Sequence, residues 1–395
     1  MPDLKTIQEA IRRESLDGWL FYGYRHRDPI ADRIMGIPAD TVNSRPWFAV
    51  LFPDREPLLL VHGVESHILD HLGGKRTVYT AREELRLLLG TLGPGRFAAQ
   101  YSRENPAIST LDHGTAAILE EAGLILVDSG SLIQRTLGLL SDTEIESHER
   151  AAAHLYAVVE GAWSLIRERF ASGRKIAEGE IQEWILSQFR GRSLVTDHPP
   201  IVAFGKNSGD PHYEPSGSGA VLSSPGVLQL DMWAKENRPD AIYADISWIG
   251  VCSAKPSAEE ELLFRAVTGA RDRGIAFVKE RISVAAGAAD DPAGAAPAGA
   301  EVDAEVRRFI ESAGYGNYIK HRTGHGIDRE VHGFGVNIDS VEFPDSRRLL
   351  PGSCFSIEPG IYLEQYGMRT EIDMYIRKGK AVVSGGPIQK ELLRL

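Results

Sequence analysis

The sequence predicts an α+β protein of two domains, and three features predict it. At 395 residues the chain exceeds what one ordinary hydrophobic core holds. Short helix-like and strand-like pieces mix up to about residue 140, which describes an α/β domain. Beyond that point the longest helical stretch of the chain leads into a half rich in β-type segments. The domains expected are therefore 1–140 and 141–395.

Taken in order, residues 4–15 carry Leu4, Ile7 and Ile11 at helical spacing with polar positions between them. Asp17-Gly18 opens a strand over 19–22. Segments 47–52 and 57–61 are β-rich, and Pro53-Asp54 between them marks a hairpin-type turn. No phosphate-cradling glycine motif appears in this half. Its histidines, His26, His62, His67, His71 and His113, have no partners at ligand spacing and are expected on the surface or in packing. Residues 142–171 form the long helix, entered through a capping box of Ser141 and Glu144. A second helix is expected over 177–190. From 197 the chain turns β-rich, punctuated at 205–209 and 215–219. Residues 256–282 are helical again. The stretch 283–300 is rich in Ala, Gly and Pro and is expected to be an exposed, functionally bland loop.

The bulk properties exclude several classes. A formal charge of −11 without a dense Lys/Arg cluster argues against a nucleic-acid partner. No apolar run approaches the ~20 residues that span a bilayer, so no membrane partner is expected. The opening MPDLKTIQEAIRRES is amphipathic and charged, unlike a signal peptide. Cys252 and Cys354 lie far apart, without the spacing of a zinc knuckle, which fits a reduced cytoplasm.

Four carboxylates and one imidazole stand out in the second half. Asp231 follows the apolar run Val-Leu-Gln-Leu, and Asp245 interrupts Ala-Ile-Tyr-Ala-Asp-Ile-Ser-Trp-Ile. The polar stretch 235–240, with Pro239, predicts a hairpin joining these two strands. A carboxylate in an apolar strand is unfavourable unless it is paired or meets a cation. Two on adjacent strands repel each other, and a metal ion removes that repulsion. His325 sits in His-Arg-Thr-Gly-His-Gly-Ile, where glycines on both sides leave room for close approach to the ring. Glu358 alternates with Phe355 and Ile357 and shares a face with Ser356. Glu371 shares a face with Arg369 and Asp373, opposite Met368, Ile372 and Met374. Each of the five also has a bland alternative: an exposed strand face for the carboxylates, a plain loop position for the histidine. Together they form a hard, sulfur-free donor set suited to divalent ions such as Mn²⁺, Co²⁺, Fe²⁺ or Zn²⁺ rather than to structural zinc.

In these residues the chain resembles the pita-bread metallopeptidases: methionine aminopeptidase, aminopeptidase P and prolidase, with creatinase as a non-metal relative. The order Asp, Asp, His, Glu, Glu matches that family. Tyr243-Ala-Asp245-Ile-Ser247 is similar to its Tyr-x-x-Asp-x-Thr, shifted by one small residue. Ile357-Glu358-Pro359-Gly360-Ile361-Tyr362 and Gly367-x-Arg369-x-Glu371 are close matches. The resemblance spans essentially the whole chain. It implies a C-terminal pita-bread catalytic domain and an N-terminal α/β creatinase-like domain, in a cytoplasmic homodimer. It implies two divalent ions, Mn²⁺ first, held by Asp231, Asp245, His325, Glu358 and Glu371. Asp245 and Glu371 would bridge, His325 and Glu358 would complete one ion, and Asp231 the other. The implied activity is hydrolysis of the N-terminal peptide bond of small peptides, of the Xaa-Pro type.

By the same resemblance Glu358 is the proton shuttle, and His212 and His332 donate hydrogen bonds at the reacting centre. His321, four residues before His325, and Arg369 are assigned to substrate binding, with Arg369 also placed to orient Glu371 or Asp231. Three departures stand out. The two aspartates are 14 residues apart where the family has 11, Gly333 replaces a common acidic residue, and Asp328 replaces a glycine. The longer hairpin is expected to alter the rim, and the other two to bear on specificity. Other classes stay open: a carbon–nitrogen or carbon–sulfur bond enzyme on the same scaffold, and a catalytically silent binding protein. The complete ligand set counts against the last.

Overall fold

The computed structural model describes residues 3–288 and 292–395. The chain divides into two compact units, Met1–Leu137 and Gly138–Leu395.

The first unit is built on a six-stranded sheet of β1 (Gly18–Gly23), β2 (Trp47–Leu51), β3 (Leu58–His62), β4 (Lys75–Tyr79), β5 (Gly95–Ala99) and β6 (Leu124–Asp128). Its order is β4-β3-β2-β1-β5-β6, parallel except where β2 runs antiparallel to both neighbours. The near-continuous apolar runs of β1 and β2 are buried on both faces, as such strands require. Leu4–Arg13 buries Ile7, Ala10 and Ile11, the stripe its periodicity marks out. Pro29–Met35 starts where Asp28 accepts from the Ala31 amide at 2.9 Å.

In the second unit the helix Asp142–Ala171 begins at a complete capping box: Ser141 and Glu144 each satisfy the other's backbone amide. Its buried face, Leu155, Val159, Ala162, Trp163 and Ile166, packs on a sheet whose centre is β9 (Val227–Glu236) and β10 (Ala244–Val251). Gly250 is required there, since a Cβ would stand 2.6 Å from the Trp163 ring. β9 and β10 pair antiparallel, with β7 (Leu194–Val195), β8 (Ile201–Phe204) and the C-terminal β16 (Leu393–Arg394) completing this sheet. Two smaller sheets follow. One is β11 (Cys354–Ile357), β14 (Ile372–Arg377) and β15 (Lys380–Val383); the other pairs β12 (Gly360–Tyr362) with β13 (Gly367–Arg369). Both cysteines are free and buried. No helix among the described residues is long and apolar enough to cross a membrane.

One expectation is overturned. The stretch 283–300 is not a bland exposed loop. The helix Ala258–Ala286 runs into it, Pro292–Ala295 is a short helix, and Gly299 opens the helix Gly299–Ser312. Ala285 and Ala296 join a core with Val302, Val336 and Phe355. A Cβ on Gly299 would collide with the Asn337 carbonyl. Alanine and glycine here answer tight packing rather than absence of packing. Residues 289–291 of that stretch lie outside the described residues.

Candidate metal centre

The β9–β10 register sets the site. Ser247 stands opposite Asp231 and Trp233 opposite Asp245, so all four side chains share one face of the hairpin. The Ser247 hydroxyl lies 2.7 Å from Asp231 Oδ1 and 3.1 Å from Glu371 Oε2, and donates to one of them. Glu371 reaches this face because its backbone bridges Ser247 in the gap between β13 and β14. There the Glu371 amide donates to the Ser247 carbonyl at 3.1 Å. His325 is fixed by β11: its amide donates to the Ser356 hydroxyl at 3.0 Å, and the Ser356 amide donates to its carbonyl at 2.9 Å. Glu358 stands just past the end of β11, its amide bonded to the Thr323 carbonyl at 2.7 Å.

The five side chains that the sequence marked therefore converge. Asp245, His325 and Glu371 each offer a ligand atom within 4.8 Å of the others. Glu358 Oε1 is 3.4 Å from His325 Nε2, and Asp245 Oδ2 is 3.8 Å from it. All five line one cavity of about 330 Å³. The exposed-face alternative fails, because Asp231 and Asp245 are 5% exposed, Glu371 2% and His325 3%. The glycines beside His325 serve a different purpose from the one expected. A Cβ on Gly324 would collide with the Ser356 carbonyl, and one on Gly326 would lie 2.7 Å from Gly335, so neighbouring backbone fills that room.

The electrostatics of this cluster call for a cation. Asp245 Oδ1 and Glu371 Oε1 are buried and have no hydrogen-bond partner among the described residues. Burial, and then the neighbouring carboxylates, push the pKa values of Asp245 and Glu371 well above the ordinary range. Burial likewise holds Glu358 up at about 7. His325 is driven the other way, chiefly by burial, so its ring is neutral, as a ligand must be. Its Nδ1 faces the Gly326 carbonyl at 3.3 Å, which leaves Nε2 directed toward the carboxylates. A divalent ion fits this donor set, since it would partner the two orphaned oxygens and relieve the repulsion between the acids.

The remaining marked residues divide. His212 and His332 line the cavity, with the His332 ring edge-on to His325 at a centroid distance of 4.3 Å. Arg369 is buried, pairs with Asp231, and touches the Tyr362 hydroxyl at 3.2 Å. His321 does not reach the cavity lining. Its Nδ1 is 2.6 Å from the Arg322 carbonyl, so Nε2 accepts from the Tyr362 hydroxyl at 2.7 Å. His321 thus connects to Asp231 through Tyr362 and Arg369.

The departures at 328 and 333 form one device. Asp328 is buried and accepts from the amides of Glu330 and Phe334, both at 2.8 Å. A Cβ on Gly333 would stand 2.6 Å from its Cγ and 2.8 Å from its backbone nitrogen, so Asp328 packs against position 333 too closely for a side chain there. The extended hairpin joins them, as the Tyr243 amide donates to the Asp328 carbonyl at 3.0 Å. Neither residue is among those lining the cavity, so their expected bearing on specificity is not direct. Sequence reading missed Ser247 as a clamp, Tyr362 as a link, and Asp373. The last is buried and accepts from the Asp245 amide at 2.8 Å. Its place two residues after Glu371, on the same strand face, was the available signal.

Comparison with known proteins agrees with this geometry. An Xaa-Pro dipeptidase of Lactobacillus delbrueckii subsp. lactis is 33% identical over 179 residues, 45% of this chain and 42% of that one. The chain spans about half the length of the curated relatives it matches. Dipeptidase PepE from Mycobacterium ulcerans has a similar fold, with a TM-score of 0.71 at 20% identity over 99% of this chain and 97% of that one. An Xaa-Pro dipeptidase from Bacillus anthracis superposes with a TM-score of 0.63 at 22% identity, covering 99% of each chain. The fold is thus the pita-bread architecture with its α/β companion. The model of metallopeptidase family M24 matches residues 146–378, a segment that carries all five clustered donors, and the chain belongs to that family.

Proposed function

We propose that this protein uses two divalent ions, Mn²⁺ before Co²⁺, Zn²⁺ or Fe²⁺, to hydrolyse the N-terminal peptide bond of small Xaa-Pro peptides. The observation that carries the reading is the convergence of Asp231, Asp245, His325, Glu358 and Glu371 on one cavity, with two buried carboxylate oxygens unpartnered among the described residues. Metallopeptidase membership and relatives named Xaa-Pro dipeptidase support it over a lyase, a non-peptidase hydrolase or a silent binding protein. Asp231, Asp245, His325, Glu358 and Glu371 would together hold the ions. When bound, the ions would supply Lewis acidity at the scissile carbonyl and a water acidic enough to lose its proton near neutral pH.

The chain's own groups do the rest. Glu358 takes the proton and passes it to the leaving nitrogen, a task open to a carboxyl that lines the cavity beside the other donors. His332 and His212 face the cavity and donate to the developing oxyanion or to the residue after the scissile bond. Arg369 holds Asp231 in place, and Tyr362 and His321 hold Arg369. Residues 1–140 are assigned to the N-terminal domain and 141–395 to the catalytic domain, supported by the division into compact units near that boundary. Two free buried thiols agree with a cytoplasmic setting. The homodimer that the family resemblance implies is checked by light scattering.

The deciding experiment joins elemental analysis to a substrate panel. Close to two ions per chain after loading, with turnover of Ala-Pro, is the expected result. No transition-metal uptake under any loading condition would remove the dinuclear reading. Cleavage of Met-peptides without cleavage of Xaa-Pro would keep the chemistry and discard the substrate class.

A further inference from the structure

The cavity has a wall that the catalytic reading leaves unused. Trp233 reaches it from β9, opposite Asp245. Asp197 reaches it from the segment before β8. The Trp233 indole N–H donates to Asp197 Oδ1 at 2.6 Å, and the His198 amide donates to the same oxygen at 3.0 Å. These two donors fix the carboxylate, while Oδ2 faces His198 Nδ1 at 3.4 Å. Asp197 keeps 40% of its side chain exposed. Burial alone would raise its pKa, but the Trp233 bond and its other hydrogen bonds hold it below the usual range, so it is ionised at neutral pH.

An anionic oxygen set beside an indole is a recognition element for cations. The carboxylate, held in place by the indole N–H, forms a charge-assisted hydrogen bond with a cationic group. Pro199, Ile201 and Val331 on the same cavity offer apolar surface to a methylene stem. Glu214 adds a second acid to the lining, while the guanidinium of Arg369 is already paired with Asp231. We propose that the Asp197–Trp233 wall selects substrates whose first residue carries a cationic side chain, lysine or arginine. The inference rests on the Xaa-Pro reading, in which proline fills the second position and the first residue varies. The α-amine is common to all such substrates and cannot produce the preference.

The test measures kcat/KM of the full-length, Mn²⁺-loaded protein on Lys-Pro, Ala-Pro and Glu-Pro. Lys-Pro should exceed Ala-Pro by about fivefold, the upper scale of a half-exposed ion pair. Glu-Pro should fall below Ala-Pro. Asp197→Asn should bring the Lys-Pro to Ala-Pro ratio close to one. Asp197→Lys should place Glu-Pro above Lys-Pro, an inversion that structural damage does not produce. Equal turnover of Lys-Pro and Ala-Pro by the unaltered protein, or an unchanged ratio in Asp197→Asn, would overturn the inference and leave the Xaa-Pro reading standing. Absence of turnover on every Xaa-Pro dipeptide would overturn both.

Discussion

Glu65 in the first unit and Glu371 in the second are both buried, and their surroundings treat them in opposite ways. Glu65 accepts from the amides of Ser44 and Arg45, each at 3.0 Å. Burial would raise its pKa, but these bonds outweigh it and the pKa falls below normal. Glu371 has one oxygen without a partner among the described residues, and burial with neighbouring acids pushes its pKa up. The first unit completes its buried acid with its own backbone, so that acid is structural. The second leaves its acids incomplete and close together, so they are stable as carboxylates only with a cation from outside. Burial alone does not distinguish a scaffold acid from a ligand. The hydrogen-bond partners of its oxygens do.

The contrast can be broken at several points. Asp245→Ala should have the largest effect, with metal content and turnover lost together, as measured by elemental analysis and a peptide assay on one preparation. Glu65→Gln in the first unit should leave metal content untouched. His332→Ala should sharpen the contrast within the cavity, because it removes a donor and spares the ligands. Metal content should persist while turnover falls roughly 10²–10³-fold. Equal metal loss in Asp245→Ala and His332→Ala would mean that His332, not His325, is the ligand.

A pH effect should follow from the same carboxylates. In metal-free protein Asp245, Glu371 and Glu358 hold protons in the folded state that they release when unfolded, since their folded pKa values are raised. The folded state then binds more protons, and stability falls as pH rises through the raised values. His325 and His321 have lowered pKa values and act in the opposite sense, but only below the ordinary imidazole value of 6.5. Above 6.5 the carboxylates dominate, so Tm of the metal-free protein should drop toward a pH of about 8. Added metal should restore more of it there than at a pH of about 6.5, and a flat pair of melting curves would contradict the unpartnered-acid account. The smallest effect is expected in the first unit. Asp28→Ala, which deletes a helix cap, should cost about 1 kcal/mol by denaturant melts and change neither metal content nor turnover.

Much of this was legible in the residues themselves. The capping box at Ser141 and Glu144 and the paired strands around Asp231 and Asp245 lie in local patterns with a fixed physical meaning, while the five donors stood out only as a set. The stretch 283–300 was misread because small residues signal either loose loops or very close packing, and composition does not separate the two. His321 meets the Tyr362 hydroxyl across 41 residues of chain, a contact that no local pattern encodes.

The sequence by itself determined which side chains could bind a hard cation and which strands would carry them, since alternation and turn chemistry act over a few residues. Tertiary structure alone decided which oxygens are left unpaired, that Asp328 and Gly333 are one fitted pair, and that Trp233 holds Asp197 against the cavity. Those are distances between segments remote in sequence. They are set by how helices and sheets pack, and local periodicity carries no term for that.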